Sequence, residues 1–269
     1  MDFFRNLPIG QYVPRKSFLH QLDPRTKIIF VFLYVILIFV VTNITGLSIF
    51  GAVTILAVIL SDLPLGYLWR ALRGLMIMIA IIGLLQLILV KQGELIWSWS
   101  WFSIYSAGIE RAIFVSLRLL FLIVITSLLT LTTSPISLTD GLERLLSPFS
   151  KLGLPVHELA LMMSIAIRYI PTLMEETDKI IKAQTARGAD FESGNLVQRV
   201  KALFPLLVPL FVSSFRRAEE LALAMEARCY RGGVGRTRRQ GIKAGWRDGI
   251  VAVVTIIVIL LTVWTRNMS

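Results

Sequence analysis

The 269-residue chain is 55 % apolar and only 17 % charged, with a mean hydropathy of +0.73. Soluble domains carry about 25 % charged residues, so this composition excludes a disordered chain and an ordinary soluble domain and points to a helical membrane protein. The net charge of +11 asks for an anionic neighbour, either phospholipid headgroups or nucleic acid. The single cysteine, Cys229, excludes an intrachain disulfide, and two histidines, His20 and His157, are too few for a His/Cys metal cluster.

Residues 1–27 are polar, with five basic and two acidic side chains and no apolar core or cleavage site, so no cleavable signal peptide is read there. Asp23-Pro24 forms a helix start: the carboxylate caps, and proline suits the first helical position because its missing N–H would be an orphan. Apolar runs follow at 28–43, 47–60, 72–90, 112–131 and 250–264. Thr45-Gly46 is read as the turn between the first two, and Asp62-Leu63-Pro64 as the end of the second. Both of these runs are short for a bilayer core, which takes about 17–25 helical residues. No strand-type alternation is read. The 91–111 loop has no net charge and holds Trp97, Trp99 and Trp101, an aromatic belt, whereas 1–27, the 61–73 loop with Arg70 and Arg73, and the 133–247 segment are basic. The positive-inside bias then places the N-terminus and the 133–247 segment in the cytoplasm and the C-terminus outside.

Residues 133–247 are too long for a loop and too apolar for a soluble tail. Three helices are predicted. The first covers 138–150, capped by Thr139 or Asp140 and ended by Pro148 and Gly153-Leu154-Pro155. The second covers 156–187, bent at Pro171, and the third 195–228, bent at Pro205 and Pro209. They read as amphipathic rods lying at the membrane and projecting into the cytoplasm. The second would reach nearly 50 Å at about 1.5 Å per residue. Gly232-Gly233-Val234-Gly235 is the only flexible patch.

Several chemistries fail on spacing. The phosphate-cradling pattern of glycine, four residues, then Gly-Lys-Ser/Thr is absent. His157-Glu158 opens like a zinc protease motif, but the second histidine position holds Leu161. Glu175, Glu176 and Asp178 could hold Mg²⁺, yet Lys179 and Lys182 follow at helical spacing and suggest a salt-bridged surface. Arg231, Arg236, Arg238, Arg239 and Lys243 read as a positive flank before the last span rather than an RNA-binding tail. Arg118 lies inside the fourth span, near enough to its outer end to snorkel. A stand-alone secondary transporter would need paired halves with broken helices, and no such symmetry is found. A membrane enzyme would need convergent polar groups at one depth.

One feature repeats. The second rod ends Ala186-Arg187-Gly188 and the third Ala227-Arg228-Cys229, both Ala-Arg-small at the end of a long helix with an apolar start. An arginine there favours the helix dipole and glycine the left-handed turn that follows. Two matching ends, 41 residues apart, also suit docking into two equivalent acidic grooves, for which a planar, permanent cation on a rigid rod is well fitted.

These ends, together with Ser17-Phe18-Leu19-His20-Gln21-Leu22-Asp23-Pro24-Arg25-Thr26-Lys27, Gly153-Leu154-Pro155-Val156-His157-Glu158, Arg168-Tyr169-Ile170-Pro171 and Phe215-Arg216-Arg217-Ala218-Glu219-Glu220-Leu221, resemble the transmembrane T component of energy-coupling-factor transporters, the CbiQ/EcfT family. The resemblance covers nearly the whole chain. It implies an all-α polytopic membrane protein of a prokaryotic cell membrane. About four transmembrane helices would lie in residues 1–132, a coupling domain in 133–247 and a fifth span in 248–269. It implies no enzymatic activity, no cofactor and no bound metal of its own, ATP and Mg²⁺ belonging to partner subunits. Arg187 and Arg228 would dock on two ABC-type ATPase subunits. Apolar residues Met162, Met163, Ile167, Leu206, Leu207, Leu210 and Phe211 would contact a substrate-binding S component. Lipid is a further partner and nucleic acid is not. The cargo would be a vitamin or another micronutrient. The second end departs from the family pattern, with Cys229 where glycine is usual, and a side chain there is expected to alter how the helix stops.

Overall fold

A computed structural model describes residues 12–99, 102–189, 196–232 and 245–267. The helices in chain order are α1 (Pro24–Val40), α2 (Ile44–Ser61), α3 (Leu65–Leu89), α4 (Ser106–Thr132), α5 (Pro135–Leu146), α6 (Val156–Ala186), α7 (Leu196–Ala227) and α8 (Trp246–Asn267). Between α3 and α4 lies an antiparallel hairpin, β1 (Leu95–Trp99) with β2 (Phe102–Tyr105), bulged between Leu95 and Trp97. The chain forms two compact units, one built from α1–α5, the hairpin and α8, the other from α6, α7 and the 3₁₀ turn before them.

In the first unit α4 packs on α1, α2 and α3, and α8 on α1 and α2. Its core holds Tyr34, Ile38, Val41, Leu47, Phe50, Leu128 and Leu131. The Tyr34 hydroxyl meets Thr54 Oγ1 at 2.6 Å and its ring stands edge-on to Phe50, so these two buried hydroxyls satisfy each other within the apolar layer. The outward faces of α1, α2, α3 and α8 stay apolar and exposed, as lipid-facing helices must. Four helices, α2, α3, α4 and α8, are long and apolar enough to cross a membrane. The remaining apolar helix of this unit, α1, has 17 residues, with Arg25 and the buried Lys27 in its first turn.

Polar ties close both ends of this bundle. At one end Asp23 caps α1, accepting from the Arg25 N–H at 3.0 Å as its sequence position suggests. The Asp23 N–H itself donates to Asp248 Oδ1 on α8 at 2.9 Å. Lys27 Nζ donates to the Thr132 carbonyl and to Thr133 Oγ1, both at 3.0 Å, closing the end of α4. At the other end Arg118 of α4 donates to the Val41 carbonyl that ends α1, its guanidinium over the rings of Phe114 and Phe39. The side chain is thereby tied to the bundle at the end where α1 stops.

Several boundaries differ from the sequence reading. Thr45 and Gly46 lie inside α2, and the turn is made by Val41, Thr42 and Asn43. Gly46 serves close packing: a Cβ there would come within 2.7 Å of Val41 Cγ1. Arg70 and Arg73 lie on α3, which starts at Leu65 rather than at 72. Ser134, not Thr139 or Asp140, caps α5, its Oγ accepting from the Ser137 N–H at 3.2 Å. The hairpin is a correction outright. Trp97, Ser98 and Trp99 alternate because they form a strand, and a two-residue period there is extended backbone. Of the flexible patch only Gly232 is described; Gly233, Val234 and Gly235 lie outside the described residues, as do Trp101, Asn195, Arg236, Arg238, Arg239 and Lys243.

Candidate functional site: two matched helix ends

In the second unit α6 and α7 run continuously through Pro171, Pro205 and Pro209. They pack antiparallel. Glu176 of α6 accepts from Ser213 and pairs with Arg217 of α7 at 3.2 Å, while Tyr230, just past α7, lies 3.4 Å from His157 at the start of α6. The cross-helix pair uses Glu176 alone of the acidic cluster; Glu175, Asp178, Lys179 and Lys182 make no ion pair among the described residues, so the salt-bridged surface read there is replaced by a tie between helices.

The two Ala-Arg ends have the same backbone. After α6 the Gly188 N–H donates to the Thr185 carbonyl and the Ala189 N–H to the Gln184 carbonyl, both at 3.0 Å. After α7 the Cys229 N–H donates to the Glu226 carbonyl at 2.8 Å and the Tyr230 N–H to the Met225 carbonyl at 3.0 Å. This is the paired pattern that follows a residue in the left-handed region. Gly188 has φ 87° and Cys229 φ 57°. Cys229 therefore does not change how the helix stops; it adopts the turn despite its side chain. Arg187 and Arg228 occupy the same place in both turns, and residues 186–188 and 227–229 are all exposed.

Because the helices are antiparallel, the two guanidiniums sit far apart. Arg228 lies beside Arg168 and Tyr169 of α6. Arg187 lies 19 residues further along α6, roughly 28 Å at about 1.5 Å per residue. Two cations held apart on stiff rods can engage two bodies at once.

The apolar residues divide. Met162, Met163, Leu207 and Phe211 are exposed, and Ile167 and Leu210 are half-buried. Leu206 is 5 % exposed, which withdraws it from any outward face. Sequence reasoning missed the rest of a stripe on α7: Phe204, Val208, Val212 and Phe215 are all exposed at helical spacing. The three-and-four spacing was the available signal.

Residues 15–240 match the family model for CbiQ, cobalt transport protein. An energy-coupling factor transporter transmembrane protein EcfT of Brevibacillus brevis is 57 % identical over 263 residues, covering 98 % of this chain and 99 % of its own. The proteins of the same name from Bacillus subtilis and Clostridium kluyveri are 51 % and 49 % identical, each over 96 % or more of both chains. With four helices fit to cross a membrane and matches spanning nearly its whole length, the chain belongs to the CbiQ family, as the transmembrane T component of an energy-coupling factor transporter.

Proposed function

We propose that the protein couples two ABC-type ATPase subunits to a membrane substrate-binding S component, with Arg187 docking on one ATPase and Arg228 on the other. The observation that carries this reading is the identical left-handed exit of α6 and α7, which presents two exposed guanidiniums in one geometry at two distant points. A groove able to accept one tip can accept the other. ATP and Mg²⁺ are handled by the ATPases, and this chain supplies no catalytic group or cofactor. When nucleotide draws the ATPases together, the rods shift, and the S component resting on the apolar faces of α6 and α7 is reoriented in the membrane. A vitamin or another micronutrient is carried by the S component. The N-terminus and the α6–α7 unit face the cytoplasm and the C-terminus the exterior; a membrane-impermeant thiol reagent should then label exposed Cys229 in inside-out but not right-side-out vesicles.

The test is recovery of the complex. Truncating one partner of a buried, hydrogen-bonded charge pair costs about 2–5 kcal/mol. Arg187→Ala and Arg228→Ala should each weaken ATPase binding at least about 30-fold, and the double variant should come away from co-produced ATPases without them. Full recovery and normal uptake in the double variant would refute the role.

A further inference from the structure

Arg228 lines an open groove of about 680 Å³ between the first half of α6 and the last turns of α7. Two more guanidiniums line it: Arg168 from α6, and Arg231, which follows the left-handed turn. Tyr169 and Tyr230 supply aromatic walls, and no aspartate or glutamate lines it among the described residues. On the same helix pair Arg217 is paired with Glu176 and Arg216 with Glu220. Arg168, Arg228 and Arg231 are exposed, and none makes an ion pair among the described residues. Three like charges around one concavity repel each other and raise the local positive potential, which an incoming anion relieves. Guanidinium is the cation best shaped for paired hydrogen bonds to carboxylate.

We propose that this groove binds a segment of the docking ATPase carrying at least two carboxylates, with Arg168 and Arg231 as binding residues beside Arg228. This rests on the docking role given above to the helix ends. Charge complementarity identifies the occupant. The groove is continuous with the Arg228 turn, so a body seated on that tip meets all three cations. It is also far larger than one headgroup phosphate would fill, which favours a peptide segment over lipid. Arg168 belongs to the Arg168-Tyr169-Ile170-Pro171 run, whose chemistry the rest of the structure leaves unused.

The test titrates the purified ATPase pair against the full-length protein in nanodiscs. Arg168→Glu should weaken binding by about tenfold or more, Arg168→Gln less, and Arg168→Lys should restore most of it. Arg168→Gln should also lower the salt dependence of binding. The loss should be strongly non-additive with Arg228→Ala, which shares the groove, and additive with Arg187→Ala, which does not. Thermal melting of each variant separates misfolding from lost contact. Unchanged affinity and salt dependence in folded Arg168→Glu, with Arg228→Ala impaired, would overturn the groove proposal while sparing the docking role. An effect seen only in nanodiscs containing phosphatidylglycerol would make the groove a lipid site and overturn it too. Should Arg187→Ala and Arg228→Ala also bind normally, the docking role itself fails.

Discussion

Gly188 and Cys229 hold the same left-handed turn after two different helices, and only one of them is glycine. A side chain in this region costs about 1–2 kcal/mol through its Cβ and the following carbonyl. Cys229→Gly should therefore stabilise the α7 end by about 1 kcal/mol and leave ATPase recovery intact. Gly188→Ala should cost a similar amount, since nothing lies within 4 Å of the added Cβ and the penalty is conformational alone. Amide exchange at residues 184–189 and 225–230 reads both. A destabilised Cys229→Gly variant would mean that the thiol makes a contact worth more than the strain.

What the sequence disclosed follows from how local each signal is. Asp23-Pro24 and the Ala-Arg-small ends act within a few residues, and both were legible as a cap and as helix stops. The Trp97-Ser98-Trp99 alternation is equally local but carries two readings at once, because tryptophan suits both a strand and an aromatic belt. Gly46 read as a turn because its real reason, the Val41 side chain pressed against it, depends on packing. The Asp23–Asp248 tie joins residues 225 apart, and no pattern along the chain announces it. Nor does periodicity separate Leu206 from Leu207, neighbours on one helix with opposite exposure.

Asp248 is the centre of that long-range tie. Oδ1 accepts from the Asp23 N–H and Oδ2 from the Gly245 N–H at 2.7 Å. Asp248→Asn keeps the shape but turns one acceptor into a donor aimed at an N–H. The cost of such a buried mismatch is about 1–3 kcal/mol. The melting temperature in detergent should fall, and exchange should rise at the starts of α1 and α8 together. Asp62→Asn is the control. Its carboxylate is exposed and 3.8 Å from Arg15, a geometry that contributes under about 1 kcal/mol, and asparagine tolerates the left-handed φ of 51° there. Equal losses in both variants would deny Asp248 its special place.

His20 makes the segment before α1 sensitive to pH. Its Nε2–H donates to the Val13 carbonyl at 2.9 Å, and its Nδ1 faces Ser17 Oγ at 2.6 Å. Burial lowers its pKa below the usual 6.5; Lys27 and Arg15 push the same way, while the Val13 carbonyl and Asp62 oppose. The folded chain thus prefers neutral imidazole. Unfolded chain takes up the proton first as pH falls, so stability from this segment is complete above about pH 6.5 and declines below it, until folded His20 also protonates. Exchange protection of residues 13–22 should drop between pH 7.5 and 5.5. In His20→Gln that difference should vanish; if it persists, another group is responsible.

The exposed stripe of α7 gives the sharpest separation of surfaces. Phe204, Leu207, Val208, Phe211, Val212 and Phe215 recur every three or four residues, and each is at least 45 % exposed. Covering a side chain of this size is worth about 1.5–3 kcal/mol, or roughly 10- to 150-fold in affinity. Phe211→Asp should therefore release the S component by at least that factor while ATPases remain bound, because the change is remote in sequence from both arginine tips. Leu206→Asp, on the same helix but at a buried position, should instead lower the melting temperature of the protein alone. Recovering each assembly with antibodies to its separate subunits reads the first effect, and calorimetry the second. If Phe211→Asp sheds the ATPases and keeps the S component, the assignment of tips to motors and stripe to cargo carrier is inverted.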